Sequence, residues 1–452
     1  MIYSSVPFLF FSAFVILVFA FLKSDYRKYW LLLSSLAWLI SWQWTWAVLF
    51  FSISLFNFLS LSLIFKKNIT QRNGFFSLLL VLNLLFFAYL KSATLLNLSF
   101  KTPYGISFFM FMHIGHIIDL WRNPEHEFKD SFVDFSLFPV FFPELIGGPI
   151  MRGKDFFQQL KKENLFSFEN CLDGLLIFSV GFCKYFFLSK SLISLNSVFV
   201  AASARINAFY LIALGLSGTL QAYVDFSSYC DMGRGIARCL GISLPVNFTP
   251  FYFAKNPNDY WQRWNITLGT WIRDYISFPA MLKFGRKIHP NWILLFSFLL
   301  VGLWHGLTFN WIFFGLFNGL IIIGYNHFNK KKKNKWSGFF FVFCITVGNG
   351  IFQRINSFRI LDHIFRQPKL WSAHFALPSP LFGELSSSLF LFLLLLFCYD
   401  YTIEKRGVDW PVNLQKQLKV LLLVILLISF IAGLNFNIFL EDITLPPAYF
   451  RI

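Results

Sequence analysis

The sequence predicts an all-α, polytopic membrane protein with about eleven transmembrane helices and with short or re-entrant helices buried among them. Three observations carry this. The chain is 56% hydrophobic and only 13% charged, with 64 Phe and 15 Trp, a balance that a soluble domain cannot keep in solution. Apolar runs of roughly 17–25 residues, the length that crosses a hydrocarbon core of about 30 Å as helix, recur almost end to end. The basic residues behind the net charge of +17 stand in short loops between those runs. A nucleic-acid-binding protein would gather them on one soluble face, so nucleic acid is not expected as a partner.

The first run, residues 6–22, has neither a basic leader nor a small-residue cleavage site and reads as a retained span. Lys23, Arg27 and Lys28 follow it, which places the N-terminus outside and the loop 23–29 in the cytoplasm; Lys66, Lys67 and the basic run 330–335 read the same way. Further spans are expected near 30–46, 47–65, 75–90 and 104–120, then 171–188 and 206–224. Ordinary spans resume near 291–309, 311–328, 336–352, 386–402 and 418–438. Between them, 122–170 is polar and carries Pro and Gly, and 225–290 mixes apolar residues with Asp, Arg, Asn and Trp. Bare lipid rejects such residues, so short, tilted or re-entrant helices buried in protein are expected there.

One tension remains in the charge pattern. If 336–352 leaves the cytoplasm, the loop with Arg354, Arg359, Arg366 and Lys369 lies outside, which calls for one re-entrant segment. No repeat, soluble domain or low-complexity linker interrupts residues 1–452, which read as one membrane domain. The six cysteines (171, 183, 230, 239, 344, 398) show no C-x-x-C or metal-ligand spacing and read as small apolar side chains.

Four polar clusters within apolar sequence are candidates for chemistry. In "VGLWHGLTFNWIFFGL", residues 301–316, His305 needs a partner or a task that offsets its desolvation. Gly302 and Gly306 allow close helix approach and Trp304 can wall a cavity, so a neutral imidazole there could take a proton from a hydroxyl; a structural histidine bonded to a neighbouring helix is the alternative.

In "NPNDYWQRWNITLGTWIRDY", residues 256–275, a helix would align Trp261, Trp264, Leu268 and Trp271 on one face, with Arg263 and Asp274 off it. Asn265 can donate and accept, which suits holding a substrate carbonyl or a histidine tautomer, or simply capping. Arg273 beside Asp274 equally fits an internal ion pair.

In "QAYVDFSSYCDMGRGIARCLG", residues 221–241, Asp231, Arg234 and Arg238 share a helix face. They read as a structural ion-pair network or as a cationic lining for an anionic donor such as a coenzyme phosphate. Gly233-x-Gly235 lacks the third glycine of a dinucleotide fingerprint. In "FFPELIGGPIMRGKDFFQQL", residues 141–160, Pro143, Gly147, Gly148 and Pro149 break helix inside apolar flanks, as in a re-entrant loop buried in protein, with Lys154, Lys161 and Lys162 at the cytoplasmic rim. "HIGH" at 113–116 spells a nucleotide-binding signature of soluble enzymes but lies in a span. His113, His116 and Asp119 read as interface residues before they read as metal ligands, and no metal site is expected.

These residues resemble the membrane-bound O-acyltransferase family, specifically its bacterial, alginate O-acetylase-like branch. "YGISFFMFMHIGHIIDLWR", "FFPELIGGPIMR", "GLLIFSVGFCKYFFLSK", "QAYVDFSSYCDMGRGIARCLGISLPVNFTPFY", "YWQRWNITLGTWIRDYISFP" and "GLWHGLTFNWIFFGLFNG" resemble successive blocks of that branch over residues 104–319, and the terminal "YFRI" is also similar. The resemblance implies helices around a central tunnel and transfer of an acyl group from a thioester to a hydroxyl or amine. It implies that His305 is the catalytic base. The acetylating branch usually has histidine where this chain has Asn265, while the wider family commonly has asparagine; an amide cannot relay a proton, so Asn265 would position substrate or polarise a carbonyl. Trp304, Trp264, Arg263, Arg273, Asp274, Asp231 and Arg234 are carried as candidate substrate and donor contacts.

The expected protein is thus a multi-pass enzyme of the bacterial cytoplasmic membrane. It would take acetyl from acetyl-CoA, a donor rather than a bound cofactor, and pass it across for O-acetylation of an extracellular polysaccharide, with an extracellular partner acetyltransferase. D-alanyl transfer to teichoic acid from a carrier-protein thioester is the alternative within the class. From other classes, a transporter would more often show two related halves, which are not found here, and a catalytically silent scaffold draws on Asn265.

Overall fold

The computed structural model describes residues 5–92, 102–123, 128–162, 165–201, 208–331, 335–354 and 387–424. Among them the secondary structure is helical, without strands. Two compact units form. One takes the described residues up to Phe182, 229–246 and those after Trp410; the other takes Cys183–Ser228 and Asn247–Trp410.

In the first unit, α1 (Val6–Phe21), α2 (Ser24–Trp42), α3 (Trp44–Phe65) and α4 (Ile69–Lys91) follow one another with short breaks, and α5 (Ile106–Arg122) comes next among the described residues. These helices are apolar on both faces. Phe8, Phe19, Trp38 and Phe50 are buried, while Phe10, Phe14, Leu33, Leu59 and Leu63 are exposed, the surface that lipid covers in a membrane protein. Several polar residues inside are paired: Asn57 and Asn83 exchange amide hydrogen bonds of 3.1 and 2.8 Å, and Ser54 lies 3.1 Å from His113 Nε2. His116 reaches Asp130 at 3.1 Å, so the two histidines of "HIGH" serve different neighbours.

Three short helices, α6 (Phe132–Val140), α7 (Phe142–Leu145) and α8 (Gly153–Leu160), build the polar region that follows. Residues 135–151 are all buried, and side chains and turns meet the needs of a backbone that helix leaves unpaired. Ser35 Oγ accepts the Phe142 N–H at 3.2 Å, Glu144 Oε1 accepts the Met151 N–H at 2.8 Å, and the Cys230 thiol donates to the Gly147 carbonyl at 3.1 Å. α9 (Phe168–Cys183) then runs through a π-helical turn, Lys184–Ser189, into α10 (Lys190–Ala201).

The next helix corrects the sequence expectation. A span was expected at 206–224 with the pattern changing at 225, yet α11 runs unbroken over 32 residues, Ala208–Cys239. Its charges are matched on the protein side, so they do not interrupt it. Asp225 accepts from the Ser189 hydroxyl, Arg234 lies 3.5 Å from Asp231, and Arg238 lies 3.5 Å from Asp173.

The second unit contains α12 (Pro257–Arg263), α13 (Ile266–Ile272), a π-helical turn Arg273–Ser277, α14 (Phe278–Phe284), α15 (Pro290–His305), α16 (Phe309–Lys331), α17 (Lys335–Arg354) and α18 (Ser387–Arg406). α15 and α16 form a tight hairpin. A Cβ on Gly302 would stand 2.1 Å from the Trp311 carbonyl, so only glycine lets the helices close there.

Among the described residues five helical segments can cross a membrane by length and composition: 44–65, 71–91, 168–197, 309–329 and 336–354; Val6–Phe21 and Pro290–His305 are shorter apolar helices. The figure of about eleven spans is not reproduced at this level. α5 has 17 residues, and α11 carries Asp225, Asp231, Arg234 and Arg238 along its second half. Arg359, Arg366, Lys369, "YFRI" and most of the segment expected at 418–438 lie outside the described residues, and Arg354 ends α17.

Candidate active site

The stretch 256–275 is not the single helix that aligned its tryptophans. α12 ends at Arg263, Trp264 is extended, and Asn265 takes φ 45° and ψ 54°, the one positive φ at a non-glycine among the described residues. The loop before it explains the break. Asn247 Oδ1 accepts both the Thr267 N–H at 3.0 Å and the Thr267 hydroxyl at 2.8 Å. The Asn247 carbonyl accepts the Ile266 N–H at 2.9 Å, and the Thr249 N–H donates to the Arg263 carbonyl at 3.0 Å. These four bonds pin 247–249 along the junction of α12 and α13 and leave the left-handed corner to Asn265, a residue type that tolerates it.

The corner tucks the Asn265 side chain inside. The residue is 4% exposed, and its Oδ1 meets no donor among the described residues. A buried acceptor left unsatisfied costs about 1–3 kcal/mol, so this oxygen is a ready socket for a donor such as a substrate hydroxyl.

His305 is the last residue of α15, not a residue inside a continuous helix. Gly306 turns the chain out to Leu307, Thr308 and Phe309, all exposed, before α16 returns. The imidazole is half-buried and stacks on Trp311 at 4.4 Å between ring centroids and 15° between planes. Trp304 lies 4.4 Å from it, and Phe314 meets its plane edge-on at 5.6 Å. Three aromatic rings therefore fix the orientation of the histidine.

Phe314 also borders Trp261 at 6.3 Å, and Trp261 packs edge-on against Phe298 at 5.1 Å. The Trp261 indole N–H is buried without an acceptor among the described residues. One aromatic wall thus carries the imidazole and an unsatisfied donor, and four residues along the chain from Trp261 stands the unsatisfied acceptor of Asn265.

The remaining candidates are engaged elsewhere. Trp264 is a core residue, parallel to Tyr260 at 5.9 Å and edge-on to Phe248 and Phe251. Arg263 is clamped by Asp259 at 2.7 Å, by Glu404 at 2.6 and 3.2 Å, and by the Pro250 carbonyl. The Glu404 hydrogen bond, then Asp259, hold its guanidinium above the usual arginine range. Arg273 and Asp274 pair with each other at 2.7 Å on the surface. Asp231 and Arg234 pair within the other unit and are not among the residues gathered around Phe314. Trp311, Phe314 and Asn247 were not marked by sequence reasoning. The first two carried a signal as aromatics in the first turns of the helix that follows His305; Asn247 carried none.

An apolar helical scaffold that holds a ring-stacked histidine and an unfilled indole donor on one aromatic wall defines a polytopic membrane protein with a candidate histidine-centred site. The profile of the membrane-bound O-acyltransferase family matches residues 65–331, which include both His305 and Asn265. The chain belongs to that family. It is 29% identical over 351 residues to the peptidoglycan O-acetyltransferase of Helicobacter pylori, covering 68% of this chain and 66% of that protein. It is 33% identical over 219 residues to the probable alginate O-acetylase AlgI of Pseudomonas aeruginosa, covering 48% and 41%. With the teichoic acid D-alanyltransferase of Bacillus subtilis it shares 30% over 221 residues, covering 44% and 53%. The chain therefore spans between two fifths and two thirds of the length of these relatives.

Proposed function

We propose that this chain is an O-acyltransferase of the bacterial cytoplasmic membrane that takes acetyl from acetyl-CoA, or another acyl thioester, for modification of a polysaccharide hydroxyl. The observation that carries the reading is the unsatisfied Asn265 Oδ1 at a strained, buried corner within the family region that also holds His305. His305 removes the proton from the acceptor hydroxyl. The oxygen forms a bond to the thioester carbonyl carbon, the C–S bond breaks, and the departing thiolate takes the proton back from the imidazolium, leaving an ester and a free thiol. The free Asn265 oxygen favours positioning a donor group over polarising a carbonyl, since a carbonyl needs a donor and not a second acceptor. The extracellular partner and the polysaccharide target belong to the same proposal; the named targets of the relatives support the polysaccharide target.

Mass spectrometry of surface glycans from cells with and without the chain tests the reading. A difference of one acetyl per modified sugar is expected. A D-alanyl difference would move the assignment to the carrier-protein alternative, which the similarity to teichoic acid D-alanyltransferase keeps in view. Identical glycans would overturn the proposal.

The role of Asn265 separates into backbone and amide. Asn265→Gly keeps the left-handed corner and removes the amide; Asn265→Ala removes the amide and adds about 1–2 kcal/mol of backbone strain. Both variants are expected to lose roughly tenfold or more in thiol release, in line with one lost hydrogen bond to a substrate, and only the alanine variant should also melt earlier. Full activity in the glycine variant would show that the amide does not hold substrate.

A further inference from the structure

The first unit contains a polar pocket of about 270 Å³ lined from the start of α2, from Lys129, Asp130 and Asp134 around the start of α6, and from the end of α8 with the residues after it. Its lining sets five cations, Arg27, Lys28, Lys129, Lys161 and Lys162, against three carboxylates. Two of those carboxylates are taken: Lys28 lies 3.2 Å from Asp134, and His116 lies 3.1 Å from Asp130. Lys161 and Lys162 are exposed and form no ion pair among the described residues. Lys161 and Lys162 are therefore available to a ligand.

The wall is completed by Ser24 and by three apolar side chains, Phe157, Leu160 and Leu165. The first turns of α2, which line the pocket, also carry exposed tyrosines, Tyr26 at 61% and Tyr29 at 53%, and Phe21 at the end of α1 is 84% exposed. Exposed tyrosines at a helix end mark the headgroup level of a bilayer. A cavity that combines unpaired cations with apolar contacts, near exposed aromatics, matches a phosphate that has an acyl tail attached.

We propose that this pocket binds a phosphate-bearing headgroup, an anionic phospholipid whose phosphate sits among Arg27, Lys161 and Lys162 and whose first carbons rest on Phe157, Leu160 and Leu165. The volume lies just below the roughly 300–1,000 Å³ of pockets that engulf a whole ligand, which suits a phosphate with a few carbons. The charge surplus selects an anionic headgroup, because a zwitterionic one brings its own ammonium against the lysines. A soluble phosphate compound shares the chemistry but not the tail. The site stands whether or not the chain transfers acyl groups.

Native mass spectrometry of the full chain in detergent, titrated with phosphatidylglycerol or with phosphatidylcholine of the same acyl chains, tests it. Phosphatidylglycerol adducts are expected to be favoured, and the preference should fall roughly tenfold in Lys161→Gln/Lys162→Gln, since each lysine near a headgroup is worth several-fold in affinity. Lys283→Gln/Lys287→Gln, which removes two exposed lysines outside the pocket, should keep the preference, and unchanged melting temperatures establish that both variants are folded. Adenosine 3′,5′-bisphosphate provides the soluble arm: binding of it that is lost in the Lys161/Lys162 variant, without any lipid preference, supports the phosphate site and assigns it to a soluble ligand. Equal retention of both lipids and of the bisphosphate by wild type and by the Lys161/Lys162 variant overturns the proposal.

Discussion

Replacing His305 with alanine is expected to lower acyl transfer by roughly 10²- to 10⁴-fold, the contribution of a positioned general base, while the chain still inserts and folds. The expectation of intact folding comes from the position of the ring. His305 ends α15, is half-buried and packs by ring contacts, so its removal costs about 0.5–1.5 kcal/mol of stacking and creates no closed cavity. His305→Gln sharpens the test, because glutamine retains hydrogen-bonding capacity and bulk but cannot accept the proton. Thiol release from an acyl thioester by protein in nanodiscs, followed alongside a melting curve, separates catalysis from folding. Added imidazole should restore part of the rate in the alanine variant, since the turn at 307–309 leaves that end exposed. A glutamine variant at wild-type rate would remove His305 from the chemistry, and a transporter or scaffold would keep export or assembly in either variant.

Sequence carried the helical class and singled out His305 and Asn265, around which the candidate site is described, and it failed where tertiary bonds override a local pattern. The apolar runs of α3, α4, α16 and α17 were legible because a span advertises itself by length and composition. Asn265 was legible as a polar residue among tryptophans, but the corner it occupies was not. The four bonds that force it come from Asn247 and Thr249, eighteen and sixteen residues upstream in a segment with no periodicity. The unbroken α11 was missed for the converse reason: its Asp and Arg residues looked like breaks in a span, although Ser189 and Asp173, distant in sequence, receive them. His305 could be singled out by chemistry alone, whereas the wall that holds it needed the Gly302–Trp311 approach of the hairpin to bring Trp311 and Phe314 back over the ring.

A second large effect is expected far along the chain, at Lys419 on the helix 416–424. Its amine lies 2.6 Å from Asp173 Oδ1, and the two residues are 4% and 3% exposed. Substituting methionine for Lys419 keeps the apolar stem and leaves a buried carboxylate, a change that costs about 3–5 kcal/mol when no other cation answers it. Arg238, 3.5 Å from the other oxygen of Asp173 and about a third exposed, recovers part of that. Denaturation in mixed micelles should therefore show a loss toward the lower end for Lys419→Met. A smaller loss is expected for the double variant Asp173→Asn/Lys419→Met, in which neither charge remains to be desolvated alone. The exposed pair Arg273–Asp274 is the internal reference, at about 0–1 kcal/mol. A Lys419→Met variant no less stable than Arg273→Ala would mean that its ammonium is hydrated rather than held on the carboxylate, and that the helix 416–424 is not fastened to α9 through this pair. If the double variant instead proves the least stable of the set, the pair stabilises by more than its desolvation costs.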